Sequence, residues 1–242
     1  MKLLVIDAGN SRIKWGLHQD GGWIERGAVA TAEADRLSDA FSRLGSAERV
    51  IAANVAGSPA AECIGEAVAR FGSRVQWVEA RKEQCGVRNT YAEPARLGPD
   101  RWAALIGARH LHAGACVVVN AGTTLTADAL NAEGIFVGGV IVPGFTLMRE
   151  ALASNTALLK LRDGHFSFFP DNTADAMYSG ALNALAGAVD RMLRYLDATG
   201  EGEASVLLSG GDAALLEPML SAPRLVDNLV LEGLLRIGAS DV

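Results

Sequence analysis

The spacing of apolar residues in the first half of the chain predicts alternating strands and helices. Short runs of β-forming apolar residues, each closed by turn residues, predict strands at 3–6, 13–17, 23–31, 50–55 and 75–78. Apolar residues at helical spacing predict helices at 34–44, 60–71 and 100–111. The polar stretch 79–98 has no strong period, and we interpret it as a long functional loop.

The second half of the chain follows a similar order. Cys116 begins a strand, which a turn, two further strands and a helix follow. Residues 173–196 have the spacing of a long amphipathic helix. An apolar strand at 206–208 then leads into a pair of glycines, and a short helix is predicted at 231–237.

One short sequence occurs twice, once in each half of the chain. Residues 4–11 read LVIDAGNS and residues 117–124 read VVVNAGTT. Both copies consist of an apolar strand, an Asp or Asn, Ala-Gly and two small polar residues, and two more strands follow each copy. We therefore predict an α/β fold of two duplicated βββαβα units with mixed sheets, as domains 1–113 and 114–242.

The turn at residues 7–11 has the residue types that phosphate binding needs. Gly9 lets backbone N–H groups approach a phosphate without a side chain in the way. The carboxylate of Asp7 can hold magnesium, directly or through water, as phosphoryl transfer requires. A tight hairpin turn is the alternative, because Asp, Asn and Gly are common there. Two matching copies favour a nucleotide held between two domains, with a phosphate loop from each.

A second candidate site precedes the helix predicted at 100–111. Asp100 could simply cap that helix, which is a common use of Asp. Arg101 is harder to explain, because a cation in the first turn opposes the helix dipole at a cost of about 0.3–1 kcal/mol. The pair suits substrate binding, in which Asp100 accepts a hydroxyl proton and Arg101 holds an anion.

Composition and charge argue against several classes of protein. The net charge is −6 and no basic run is present, which argues against nucleic acid as a partner. Cys63, Cys85 and Cys116 are scattered, so we expect reduced thiols in a cytoplasmic protein. No apolar stretch reaches the ~20 residues that a membrane-spanning helix needs. The GxxxxGK[ST] motif of P-loop kinases and the GxGxxG motif of dinucleotide folds are absent.

The order and spacing of the motifs resemble the type III pantothenate kinases over nearly the whole chain. The shared positions are residues 7–11 with Lys14, Tyr91 with Pro94, residues 98–101 (GPDR), Gly122-Thr123, Gly138-Gly139 with Pro143-Gly144, Asn172-Thr173 with Gly180, and Ser209-Gly210-Gly211. The resemblance implies two ribonuclease-H-like domains of the actin-like ATPase superfamily and a homodimer. It also implies ATP-dependent phosphorylation of pantothenate, the first step of coenzyme A biosynthesis.

The resemblance further implies roles for particular residues. The ATP contacts would be Asp7, Ala8, Gly9, Asn10, Ser11, Arg12, Ile13, Lys14 and Thr123. The pantothenate contacts would be Tyr91, Gly98, Pro99, Asp100, Arg101 and Thr173. Asp100 would be the general base on the primary hydroxyl, and Asp7 would hold magnesium indirectly.

The second turn departs from the family pattern at its first residue. Many members have an Asp there, which helps to hold a monovalent cation, usually potassium or ammonium. This chain has Asn120, which keeps an oxygen ligand but lacks the charge, so the cation requirement stays open. Two other functions also stay open: a kinase of another small hydroxylated acid, and a non-catalytic regulatory or accessory protein on the same fold.

Overall fold

The first strand of the chain lies at the centre of a mixed five-stranded sheet. The strands are β1 (Lys2–Ala8), β2 (Arg12–Gln19), β3 (Gly22–Ala30), β4 (Arg49–Asn54) and β5 (Val75–Trp77). Their spatial order is β3-β2-β1-β4-β5. The first three strands form an antiparallel meander, while β4 runs parallel to β1 and β5 runs parallel to β4. The central position of β1 buries four of its residues in succession, which accounts for its unbroken apolar run.

Two helices, α1 (Leu37–Ser42) and α2 (Ser58–Ala69), connect the later strands of this sheet. A third helix, α3 (Pro99–Leu111), follows the sheet in the chain. The helix predicted at 34–44 begins instead as a 3-10 helix, Thr31–Arg36, in which Glu33 has non-helical angles (φ −116°, ψ 30°). Phe41 of α1 is fully buried and meets the Trp15 ring edge-on at 5.7 Å, so this short helix is held by its core contacts.

The stretch at 79–98 contains a small hairpin that the sequence did not reveal. Its strands are β6 (Glu83–Gln84) and β7 (Val87–Asn89), and a 3-10 turn, Pro94–Arg96, follows. The prediction of a loop without strands is therefore wrong at 83–89. Strands of two and three residues are too short to show an alternating pattern, and Cys85 at the turn adopts a positive φ of 50° that its residue type does not signal.

The second unit repeats the strand pattern of the first. Its strands are β8 (Cys116–Ala121), β9 (Thr124–Leu130), β10 (Ile135–Pro143), β11 (Ser205–Ser209) and β12 (Arg224–Leu225). Within this unit they run in the order β10-β9-β8-β11-β12. The first three are antiparallel, and β11 and β12 continue the sheet in parallel. The predicted duplication of a βββαβα unit with mixed sheets is confirmed.

Helices cover the sheet of the second unit. They are α4 (Phe145–Asn155), α5 (Thr173–Asp197) and the short α6 (Ala213–Leu216). The apolar stripe of α5 includes Leu182, Leu185 and Val189, which share a core with Val117 and Val119 of β8. Among the helices that the structure describes, none combines the length and the apolar composition that crossing a membrane requires.

The last helix, α7 (Leu229–Ser240), packs closely against α3. A Cβ at Gly107 of α3 would lie 2.6 Å from the Leu229 carbonyl oxygen, and one at Gly233 of α7 would overlap the Ala103 carbonyl. Both positions therefore require glycine for the two helix backbones to approach this closely.

This packing decides how the chain divides into compact units. The computed structural model describes residues 1–70, 72–200 and 203–240, so Phe71, the predicted end of one helix, lies outside the described residues. One unit comprises Met1–His112 with Asn228–Val242, and the other comprises Ala113–Asp227. The division differs from the predicted ranges 1–113 and 114–242 because α7 packs against α3 of the first unit.

Candidate active site

The turn between β1 and β2 is held by hydrogen bonds from both neighbouring strand ends. Within the turn, the Gly9 N–H donates to the Arg12 carbonyl at 3.0 Å. Thr31, just after β3, donates from its hydroxyl to the Gly9 carbonyl at 2.7 Å and from its N–H to the Ser11 carbonyl at 3.1 Å. On the other side, the Val55 N–H donates to the Ala8 carbonyl at 2.9 Å. The turn therefore has a fixed shape, which a phosphate loop needs.

The polar residues of this turn face outwards while its strand residues are buried. Ala8 and Ile13 are fully buried, whereas Asn10, Ser11 and Arg12 are exposed. Exposed hydroxyl, amide and guanidinium groups at a strand end are available to an anionic ligand. Thr31, which braces the turn, was missed by sequence reasoning, since a Thr at the end of a strand carries no distinctive signal.

Asp7 lies beside Asp100 and Lys14, although Asp100 is far away in the sequence. Asp7 is directly opposite Lys14 in the pairing of β1 with β2. Burial and, to a lesser extent, the charge of Asp100 together raise the pKa of Asp7 from 3.8 to about 7, although the charge of Lys14 opposes the rise. The structure thus brings the carboxylate of the predicted phosphate loop together with the predicted general base. Two carboxylates with pKa values raised by burial, one of them raised in part by the charge of the other, are typical of functional sites.

Asp100 is the second residue of α3, and its carboxylate folds back onto the start of that helix. Burial raises its pKa, while the backbone N–H and the charge of Arg101 lower it. A Cβ at Gly98 would lie 2.6 Å from the Asp100 Oδ1, so glycine is needed there for the carboxylate to take this position. Asp100 is only half-buried, so the carboxylate remains open to a ligand.

Arg101 and Tyr91 form the second part of this cluster. Arg101 is 7% exposed, which is unusual for Arg, and its Nη1 donates to the Tyr91 hydroxyl at 3.3 Å. The predicted contacts at Tyr91 and at 98–101 therefore lie together in the first unit. Among the residues that the structure describes, no group of three or more His, Cys, Asp or Glu side chains could hold a metal ion.

The second turn, between β8 and β9, is the counterpart of the first but is one residue shorter. Ala8 pairs with Ile13 across the first turn, whereas Ala121 pairs with Leu125 across the second. The Gly122 N–H donates to the Thr124 carbonyl at 3.1 Å. The Ala121 carbonyl accepts from the Asp212 N–H at 3.0 Å, as the Ala8 carbonyl of the first turn accepts from the chain after β4.

Two glycines outside the second turn press against its backbone. The Gly144 N–H donates to the Thr123 carbonyl at 2.9 Å, and a Cβ on Gly144 would overlap the Gly122 carbonyl. Gly210 has a positive φ of 110°, and a Cβ there would overlap the Ala121 carbonyl. These glycines keep the turn rigid and explain the glycine motifs of the sequence.

A small pocket opens beside the second turn, within the second unit. Its walls include Gly122, Gly144, Phe145 and Leu182, and Asp212 supplies a carboxylate whose pKa burial raises. Asn120 is half-buried at the end of β8, next to Ser209 of β11 in the parallel register, while Thr123 is exposed. The residues that line the pocket are largely apolar, and Asp212 adds a carboxylate to them.

Thr173 is the exposed first residue of α5, and polar contacts fix the helix start around it. The Asn172 side chain accepts from the Asp175 N–H at 3.0 Å, which caps the helix. The Asp175 carboxylate in turn accepts from the His165 N–H at 2.7 Å and from the Asn172 Nδ2 at 2.8 Å, and these two hydrogen bonds lower the pKa of Asp175. The structure thus locates Asn120, Thr123 and Thr173 in the second unit and the remaining predicted site residues in the first.

Solved structures with the same fold differ widely in their described functions. A structure from Campylobacter jejuni, described as a conserved Baf family transcriptional activator, has a TM-score of 0.62 at 19% identity and covers 98% of both chains. A structure from Sinorhizobium meliloti, described as a 2-dehydro-3-deoxygalactonokinase, has a TM-score of 0.62 at 15% identity and covers 99% of both chains. At such identities the likeness is one of fold, and it agrees with the predicted ribonuclease-H-like, actin-like ATPase fold.

Sequence comparison is more specific. A family model described as type III pantothenate kinase matches residues 3–195. A type III pantothenate kinase of Aromatoleum aromaticum is 51% identical over 240 residues, which is 99% of this chain and 98% of the relative. The chain belongs to the type III pantothenate kinase family.

Proposed function

We propose that the protein transfers the γ-phosphoryl group of ATP to the primary hydroxyl of pantothenate, the first step of coenzyme A biosynthesis. The observation that carries this proposal is the cluster of Asp7, Lys14, Asp100 and Arg101 in one unit of a chain that belongs to the type III pantothenate kinases. A fixed turn, a cation and two perturbed carboxylates are what phosphoryl transfer needs for positioning and charge stabilisation.

The first turn would hold the phosphates. The exposed side chains of Asn10, Ser11 and Arg12 can donate to phosphate oxygens, and the ammonium of Lys14 lies next to the carboxylate of Asp7. In the second unit, Thr123 offers a hydroxyl at an exposed turn.

Pantothenate carries both a hydroxyl and a carboxylate, and the first unit has a group for each. Asp100 would take the proton from the primary hydroxyl as the oxygen attacks the γ-phosphorus. Arg101 and the Tyr91 hydroxyl to which it donates would hold the carboxylate, with Gly98 and Pro99 shaping the site around them. Thr173, exposed at the start of α5, would add a hydrogen bond to pantothenate.

The donor set fits a magnesium ion but offers less to a monovalent cation. Burial and the charge of Asp100 raise the pKa of Asp7, so a nearby cation would stabilise its ionised form. Magnesium prefers oxygen ligands and keeps several waters, which suits a single carboxylate acting through water. When bound, it would neutralise charge on the phosphate oxygens. At the second turn Asn120 is neutral, so we expect at most weak binding of potassium or ammonium.

ADP release measures the proposed activity directly. With ATP and magnesium, the purified protein should release ADP in a pantothenate-dependent way and with only weak dependence on potassium or ammonium. Other small hydroxylated acids, tested as a panel in the same assay, should give much less ADP. If ADP release does not depend on pantothenate, the proposal is contradicted. If another acid in the panel is a better acceptor, that acid replaces pantothenate as the proposed substrate.

We also infer a homodimer, because the second unit exposes large apolar side chains on a well-anchored segment. Leu158, Phe168 and Phe169 are 90%, 84% and 93% exposed. The backbone next to Phe168 is fixed to α5, because the Ser167 N–H donates to the Ser179 hydroxyl at 2.9 Å. Exposed aromatic residues on a fixed backbone are typical of protein interfaces.

Light scattering tests this inference through the mass in solution. The native chain should have twice the monomer mass, and the double substitution Phe168→Ser with Phe169→Ser should shift it towards the monomer. A native chain that is monomeric at assay concentrations would contradict the inference. We further place the protein in the cytoplasm, where its three cysteines would stay reduced, and subcellular fractionation tests this.

A further inference from the structure

Asn89, at the end of β7, is a fully buried polar residue that spans a turn with its side chain. Its Oδ1 accepts from the Tyr91 N–H at 3.0 Å, and its Nδ2 donates to the Pro94 carbonyl at 3.1 Å. Its own N–H donates to the Lys82 carbonyl at 2.9 Å. A buried amide is retained only when its hydrogen bonds are satisfied, and this one satisfies them by fixing the two ends of the Tyr91–Pro94 turn.

The elements on either side of this turn are anchored to the same helix. Before the turn, Gln84 of β6 accepts from the indole Nε1 of Trp102 in α3 at 3.0 Å, and Trp102 is fully buried. After it, Leu97 is 1% exposed and leads directly into the start of α3. Between these anchors, Tyr91 itself reaches α3 through the hydrogen bond from Arg101.

We propose that Asn89 is a positioning residue that holds Tyr91 in place beside Arg101 for pantothenate binding. The inference rests on the proposed pantothenate kinase activity and goes beyond it, because Asn89 is fully buried and would act through the turn that it holds. Without the side-chain bridge, the turn would lose two of the hydrogen bonds that fix its path. Tyr91 would then sample several positions, and misplacement of a binding group by about 1 Å can cost about 10²-fold in activity.

Two substitutions at this position separate its hydrogen bonds from its volume. Asn89→Leu keeps a similar size and removes both hydrogen bonds, whereas Asn89→Ser keeps a hydroxyl that can accept from the Tyr91 N–H, as serine does in turns. For Asn89→Leu we expect faster hydrogen exchange at 90–97 in the ligand-free protein. We also expect KM for pantothenate to rise about tenfold or more, with little change in KM for ATP. Asn89→Ser should lie between wild type and Asn89→Leu in both measurements.

Asn131 provides a matched control in the second unit. It is also a buried Asn at a turn, and its Oδ1 accepts from the N–H groups of Glu133 at 3.1 Å and Ile135 at 2.7 Å. Asn131→Leu should lower thermal stability, as Asn89→Leu should, without changing exchange at 90–97 or KM for pantothenate.

Several outcomes would overturn the inference. Unchanged exchange at 90–97 in Asn89→Leu would do so, as would an equal rise in both KM values or the same kinetic effect from Asn131→Leu. A wild-type protein that does not phosphorylate pantothenate would instead contradict the proposed function. The exchange measurement, which needs no substrate, would still decide whether Asn89 holds Tyr91.

Discussion

Replacement of Asp100 by asparagine should lower the turnover number by about 10²–10⁴, because general-base catalysis typically contributes that much. Asparagine has nearly the same shape and can still accept the backbone N–H of Arg101, so the start of α3 should remain intact. It cannot take the proton from the primary hydroxyl of pantothenate. KM for ATP should change little, since the predicted phosphate contacts lie in the first turn.

Two further measurements distinguish loss of a base from loss of structure. The thermal unfolding midpoint of Asp100→Asn should stay near that of wild type. As a control, the same substitution at Asp39, which is exposed in the first turn of α1, should leave the turnover number unchanged. The charge of Asp100 raises the pKa of Asp7, so its removal should shift the acidic limb of the kcat/KM profile to lower pH. An unchanged turnover would exclude Asp100 as the base.

The features that could be predicted from the sequence are those that repeat or that persist over many residues. The run at 3–6 predicted β1 because a central strand buries both of its faces. The long stripe at 173–196 predicted α5 almost to its ends, Thr173–Asp197. The two copies of the Ala-Gly turn predicted two units of the same topology, and the strand orders of the two sheets bear this out.

The features that could not be predicted depend on contacts between distant residues. Nothing in 231–237 reveals that α7 packs against α3, because that contact depends on the fit of Gly233 against the Ala103 backbone. The hairpin at 83–89 is too short for a pattern, and its position depends on the bond from Trp102 to Gln84. Asn89 and Thr31 are ordinary turn residues in the sequence, and only their hydrogen-bond partners single them out.

The candidate site shows the same contrast. The sequence alone nominated Asp7 for a phosphate loop and Asp100 for a substrate site, as two separate motifs. Only the folded chain brings them close enough for the charge of one to change the pKa of the other. This electrostatic interaction joins the proposed phosphate site of the first unit to its proposed substrate site. Together with burial, it makes the ionised form of Asp7 destabilising in the ligand-free fold.

Asp7→Asn should therefore abolish most activity while making the ligand-free protein more stable at pH 8. The folded-state pKa of Asp7, about 7, lies above the unfolded value of 3.8, so the folded state binds the proton more tightly. The stability contributed by this proton is fully present below about pH 4 and is lost as the pH rises through about 7. At 1.36 kcal/mol per pKa unit, the ionised side chain costs at most about 4 kcal/mol at pH 8. Turnover should fall by at least about 10²-fold, as on losing one electrostatic contact to the transition state.

Unfolding midpoints of wild type and Asp7→Asn in chelator-containing buffer, at pH 5 and pH 8, measure the effect on stability. The variant should be more stable at pH 8, and the gain should fall to less than about half at pH 5, where Asp7 is protonated in the folded wild type but ionised in the unfolded chain. Asp175→Asn is a control of opposite sign, because hydrogen bonds lower the pKa of Asp175 and its ionised form stabilises the fold. That variant should lose stability at pH 8 and lose less as the pH falls towards the pKa of Asp175. Equal gains in stability for Asp7→Asn at both pH values would contradict this prediction. They would show that the negative charge of Asp7 does not destabilise the fold.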